Sequence, residues 1–161
     1  MIIVLFGVSG CGKSTVGRML ADALGCDFVD ADDYHSAANR EKLGRGEPLS
    51  EADRAPWLAT LAELVDRYLS RGRNAVLACS ALRTDYRRRL SGDDPRVCFV
   101  HLCGSPEQIA KRLRERRGHF MHPDLLRDQF DTLELDGDRI DVDITLSCDE
   151  VVAEIRRQLQ I

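Results

Sequence analysis

One stretch, Gly7-Val8-Ser9-Gly10-Cys11-Gly12-Lys13-Ser14-Thr15, limits how this chain can fold. It satisfies G-x-x-x-x-G-K-[ST] without a mismatch, after the apolar run Met1-Ile2-Ile3-Val4-Leu5-Phe6 and before a helical pattern that continues from Val16 to Leu24. Strand, loop and helix in that order predict a phosphate-binding loop. Gly7, Gly10 and Gly12 let the backbone take φ > 0 and approach a polyphosphate. Successive N–H groups then turn inward at the positive end of the helix. Lys13 adds a point charge for the β- and γ-phosphates, and the Ser14 hydroxyl is the expected Mg²⁺ ligand. The ATP-binding set read from the loop is Gly7, Ser9, Gly10, Cys11, Gly12, Lys13, Ser14 and Thr15. The alternative, a glycine-rich turn with a solvated lysine, is disfavoured by the flanking elements.

A length of 161 residues suits one domain, and 43% hydrophobic with 31% charged residues describes an ordinary globular protein. The net charge of −4 provides no global positive field to recruit nucleic acid or an anionic membrane. An anionic ligand must therefore be held by clustered Arg and Lys. The six cysteines contain no C-x-x-C pair and no zinc spacing, which favours free thiols in a reducing compartment. No targeting segment precedes the first strand, and no apolar run approaches the roughly 20 residues of a membrane span, so a cytoplasmic location is expected.

Further strands are expected over 26–29, 74–79, 97–102 and 141–146, with helices over 37–43, 51–69, 106–116, 124–133 and 151–159. This alternation predicts an α/β fold, a three-layer αβα sandwich on a five-stranded parallel sheet. Ser50 with Asp53 and Ser147 with Glu150 read as capping boxes. In such a sheet, ligands lie beyond the carboxyl ends of the strands. Asp30-Ala31-Asp32-Asp33-Tyr34-His35 should therefore face the γ-phosphate, although a solvated acidic turn capping the next helix reads equally well. Trp57 fits a core or groove position. Arg54 lies near a helix start, where the dipole disfavours a cation and either a bound anion or an acidic neighbour would offset the cost. No Asp ends the third strand, so the metal must rely on Ser14, phosphates, water and Asp32 or Asp33. Ser80-Ala81-Leu82-Arg83 lies at the functional edge, whereas the basic run Tyr86 to Leu90 reads as a solvated helix face. His101 reads as structural. Arg112, Arg114, Arg116 and Arg117 before Gly118 suit a phosphate-covering lid, or in part a helix end that favours cations.

Taken together, the loop, Asp30 to His35, Glu47-Pro48-Leu49, Asp53-Arg54-Ala55-Pro56-Trp57-Leu58, Cys79-Ser80-Ala81-Leu82-Arg83 with Tyr86-Arg87, Gly118-His119-Phe120-Met121, Gln129-Phe130 and Thr132-Leu133-Glu134 closely resemble the small gluconokinases. These belong to the shikimate-kinase-like and nucleoside-monophosphate-kinase-like P-loop group, and the resemblance covers essentially the whole chain. It implies a single P-loop kinase domain over 1–161 with a lid near 112–124, a substrate-binding helical segment near 35–70, and a homodimer. It implies ATP- and Mg²⁺-dependent phosphorylation of D-gluconate at its 6-hydroxyl. The expected catalytic residues are Lys13, Asp32 as base and Arg116 on the transferring group. Arg112 and Arg116 join the ATP set, while Asp32, His35, Arg54, Ser80, Arg83 and His119 are the expected substrate contacts. The family more often has Lys at the position of Arg83 and Pro at that of Ser36. Arg83 keeps the charge but changes donor geometry. A kinase for a shikimate-like hydroxy acid or for a nucleotide shares fold, loop and lid. A GTPase-like switch is disfavoured because the chain lacks N-K-x-D.

Overall fold

The computed structural model describes residues 1–115 and 123–161. Five strands run in the order β1 (Ile2–Phe6), β2 (Asp27–Asp30), β3 (Ala75–Ala78), β4 (Val97–Cys103) and β5 (Ile140–Asp143). They alternate with helices α1 (Lys13–Leu24), α2 (Ala37–Gly44), α3 (Glu51–Ser70), α4 (Thr84–Ser91), α5 (Pro106–Glu115), α6 (Pro123–Thr132) and α7 (Cys148–Leu159). A 3₁₀ turn, Ala31–Tyr34, follows β2. The spatial order is β2-β3-β1-β4-β5 and every pairing is parallel. The α/β sheet expected from the alternation is therefore present. β1 lies at its centre, with Ile2 in register with both Ala75 and Val97.

The continuous apolar character of β1 follows from burial on both faces. Ile3 and Leu5 pack with Val16 and Leu20 of α1, Ile109 of α5, and Val151 and Ile155 of α7. Ile2, Val4 and Phe6 point the other way, into Leu58, Leu61 and Val65 of α3 and Leu90 of α4. Two helical layers thus cover the sheet. Expected boundaries hold within a few residues, and β5 differs most. Its ladder ends at Asp143 because the carboxylate accepts the Thr145 amide at 2.7 Å, turning the chain out of the strand. Both capping boxes form, around Ser50 with Asp53 and Ser147 with Glu150. Among the described residues no helix is long and apolar enough to cross a membrane.

One sequence expectation is overturned in this layer. The basic run on α4 is not a uniformly solvated face, because Arg87 is buried with only 4% of its surface exposed. Its guanidinium lies 4.6 Å from the Phe6 ring centre and donates to the carbonyls of Ala81, Leu82, Glu134 and Asp136 and to the Thr84 hydroxyl. Arg88 and Arg89 are exposed, as the helical period requires of their positions. Five acceptors and an aromatic face make burial of the cation tolerable.

Candidate active site

The loop after β1 wraps the start of α1. Gly10 and Gly12 have φ of 84° and 104°, a region unfavourable for other residues. A side chain at Gly10 would also meet Leu113 of α5 at 2.8 Å. Lys13 Nζ folds back onto the carbonyls of Gly7 and Val8, at 2.9 and 3.0 Å. Its ammonium is thereby held at the concave side of the loop. Arg112 stands against the same loop and donates to the Ile144 carbonyl. Together with Thr15, Leu146 and Cys148 it lines a pocket beside Gly10, Cys11 and Gly12, on the α7 side of the loop.

Two partners of the loop were not assigned from sequence. Ser14 Oγ donates to Asp30 Oδ2 at 2.7 Å, so the carboxylate nearest the expected metal ligand comes from the end of β2, not from Asp32 or Asp33. The other Asp30 oxygen accepts the Asp32 amide at 3.2 Å and caps the 3₁₀ turn. The capping reading of the acidic segment is thus met at the 3₁₀ turn, while the other oxygen turns to the loop hydroxyl. The second partner is Gln129 of α6, which accepts the Ser9 amide at 2.7 Å and donates to the Ser9 hydroxyl at 3.1 Å. Neither position lies at a spacing that marks it, although an acid at a strand's carboxyl end was a usable signal for Asp30.

Beyond Lys13 the mouth of β2 carries Asp32, whose side chain is 84% exposed. Desolvation in the crowded mouth pushes its carboxyl above the usual aspartate range and Asp30 adds to this, while His35 and Lys13 pull the other way. With so much of the side chain in water, solvent screens the effect. His35 Nε2 lies 3.8 Å from Asp32 Oδ1, and the ring stacks on Trp57 at 4.5 Å. Trp57 is itself fixed by an indole hydrogen bond to the Ala31 carbonyl at 2.8 Å. It is thus a core residue of α3 whose ring also supports His35. Burial lowers the His35 pKa, so the ring is neutral near pH 7. His35 Nδ1 is a buried polar atom without a hydrogen-bond partner among the described residues.

The Ser80 carbonyl accepts the Gly7 amide at 3.2 Å, placing Ser80 beside the loop. Ala81 follows with φ of 37°, an unusual value for a residue with a side chain. Its carbonyl is among those that Arg87 holds. That turn delivers Arg83 toward Arg54 of α3, and both guanidinium groups reach the same carboxylate, Glu51. The structure therefore brings together Lys13, Ser14, Asp32, His35, Arg54, Ser80 and Arg83, with Arg112 on the α7 side of the loop. Arg116, His119 and most of the expected lid lie outside the described residues.

A parallel sheet in this strand order, with a lysine-bearing phosphate loop at the end of its central strand, defines a P-loop kinase. A sequence-family model described as an AAA domain matches residues 2–134. The gluconokinase of Arabidopsis thaliana is 48% identical over 148 residues, covering 84% of this chain and 78% of its own length. That of Gluconobacter oxydans (strain 621H) is 48% identical over 136 residues, covering 84% and 76% respectively. The crystal structure of a gluconokinase from Sinorhizobium meliloti 1021 superposes with a TM-score of 0.82 at 37% identity, over 98% of this chain and 94% of that one. The chain belongs to the gluconokinase family.

Proposed function

We propose that the protein transfers the γ-phosphoryl group of ATP to the 6-hydroxyl of D-gluconate, giving 6-phosphogluconate and ADP. One observation carries this reading beyond family membership. Lys13 and His35 act on Asp32, Arg54 acts on His35 and shares Glu51 with Arg83, which supports reading these groups as a row with a phosphate end at Lys13 and a carboxylate end at the two arginines. A linear hydroxy acid with its reactive alcohol far from its carboxylate fits such a row.

The amides of residues 9 to 14 and Lys13 hold the triphosphate, with the adenine against Thr15, Arg112, Leu146 and Cys148. Asp32 orients the acceptor hydroxyl and takes its proton as the oxygen attacks phosphorus. His35, Ser80 and His119 contact the polyol, and the unpartnered Nδ1 of His35 supports that role for His35. Arg54 and Arg83 hold the carboxylate, where charge-assisted hydrogen bonds contribute about 1.5 to 3 kcal/mol each. Arg116 neutralises charge on the transferring group from a lid near 112–124, and a helical segment near 35–70 binds substrate.

Ser14 and Asp30 present hard oxygen donors, a set that suits Mg²⁺. Ser14 and Asp30 would hold the ion, which would supply positive charge to offset that of the phosphates. We further propose one kinase domain over 1–161, acting in the cytoplasm as a homodimer.

The test is ADP release from purified protein with Mg²⁺ and ATP, alone and with D-gluconate, shikimate, other sugar acids, glucose and nucleoside monophosphates in turn. Stimulation by gluconate alone is expected. Stimulation by a different acceptor overturns the substrate, and turnover indifferent to acceptor overturns the kinase reading.

A further inference from the structure

Three donors from two helical segments converge on one oxygen, Glu51 Oε1. The Tyr86 hydroxyl donates to it at 2.5 Å, Arg83 Nη1 at 3.2 Å and Arg54 Nη1 at 3.4 Å. Arg83 also lies 5.5 Å from the Tyr86 ring centre, with Glu134 at 3.9 Å on its far side. Two guanidinium groups brought this close repel one another unless an anion lies between them. The carboxylate that fills this place belongs to the first residue of α3, and Glu51 is 59% exposed. A change of rotamer would take it into water without uncovering any core.

Its neighbour Asp53 is the contrast. That carboxylate closes the Ser50 capping box and accepts Lys42 Nζ at 2.8 and 3.0 Å, which holds its pKa down to about 2. Asp53 is committed to the fold, whereas the described bonds of Glu51 run only to the groups assigned to substrate and to Tyr86.

We propose that Glu51 is an internal stand-in for the substrate's carboxylate, and that Tyr86 is the third donor of the carboxylate subsite. This rests on the reading of Arg54 and Arg83 as carboxylate ligands. Without substrate, Glu51 keeps the two arginines and the tyrosine aligned. When the acid enters, its carboxylate takes the same three donors and Glu51 turns out to solvent. One carboxylate replaces another, so the donors keep their charge balance throughout. An acceptor without a carboxylate has nothing to displace Glu51 with, which makes the exchange a source of selectivity for hydroxy acids over neutral sugars.

The stand-in competes with substrate, so removing it strengthens substrate binding. KM for D-gluconate falls about two- to fivefold in Glu51→Ala and Glu51→Gln, the range an exposed ion pair supports, and the effect appears in KM rather than kcat. Adding Tyr86→Phe to Glu51→Ala raises KM about tenfold, since a hydrogen bond to a charged group is lost with no competitor left to weaken. Thermal unfolding of each variant confirms that it is folded, and the Gln variant preserves side-chain size if the Ala variant is unstable. Wild-type enzyme that phosphorylates gluconate while both Glu51 variants keep or raise its KM overturns the stand-in. Wild-type enzyme that responds to another hydroxy acid overturns gluconate as the substrate, and the same KM comparison is then made with that acid. A response to a neutral acceptor alone overturns both.

Discussion

Ser14 and Asp30 are joined by a hydrogen bond of 2.7 Å between the first turn of α1 and the last residue of β2. The bond ties the hydroxyl next to the loop lysine to a carboxylate on an edge strand. A carboxylate that orients a metal ligand typically contributes ten- to a hundredfold to metal affinity. Asp30→Ala should raise the Mg²⁺ concentration for half-maximal activity by about that factor. Calorimetry of ATP binding with and without Mg²⁺ provides a reading independent of turnover. An unchanged Mg²⁺ response would move this role to Asp32 or Asp33.

Asp32→Asn should lower kcat by about 10² to 10⁴ while leaving ATP affinity nearly intact, as expected for loss of a general base. The wild-type pH profile has a matching sign. Crowding in the mouth and the neighbouring Asp30 raise the Asp32 pKa, so kcat/KM declines as pH falls through a value above that of an ordinary aspartate. Full turnover in the Asn variant would remove Asp32 from the chemistry.

Arg87→Met leaves the carbonyls of Ala81, Leu82, Glu134 and Asp136 without their donor. A loss of about 3 kcal/mol is expected, equivalent to a fall in Tm of roughly 6 to 12 °C in a domain of this size. The Ala81 turn should relax with it and raise KM for the acceptor acid. Differential scanning calorimetry decides the first point. A shift within about 1 °C would mean that water replaces the guanidinium.

His35 and His101 both titrate below the ordinary value of 6.5, in each case chiefly through burial. For His101, desolvation outweighs the opposing hydrogen bond from Nδ1 to Asp141, at 2.9 Å. The unfolded chain therefore binds more protons than the folded one just below pH 6.5, and stability is lost as pH falls through that window. Urea unfolding between pH 7.5 and 5.5 should show the decline. His101→Asn should flatten its slope, and an unaltered slope would place the titration elsewhere.

Much of the fold is legible in sequence because its causes are local. The loop residues carry their spacing with them, both capping boxes span three residues, and β1 is apolar at every position because helices cover both its faces. The site is legible where it lies on those elements, as with Lys13, Ser14 and the mouth of β2. Arg54 and Arg83 can be singled out as cations needing an anion, but nothing in their spacing shows that they need the same one.

Local residue order suffices for the strand-loop-helix unit, the succession of elements and the set of groups able to handle phosphate. Tertiary structure alone decided which of those groups meet. Ser14 finds Asp30 across 16 residues, Tyr86 finds Glu51 across 35, Arg87 finds the Glu134 carbonyl across 47 and Ser9 finds Gln129 across 120. Whether an arginine is solvated or buried, or a glutamate free or engaged, depends on what packing brings to within about 3 Å of it. Helical and strand periods assign a side chain to a face; the partner waiting there comes from elsewhere in the chain.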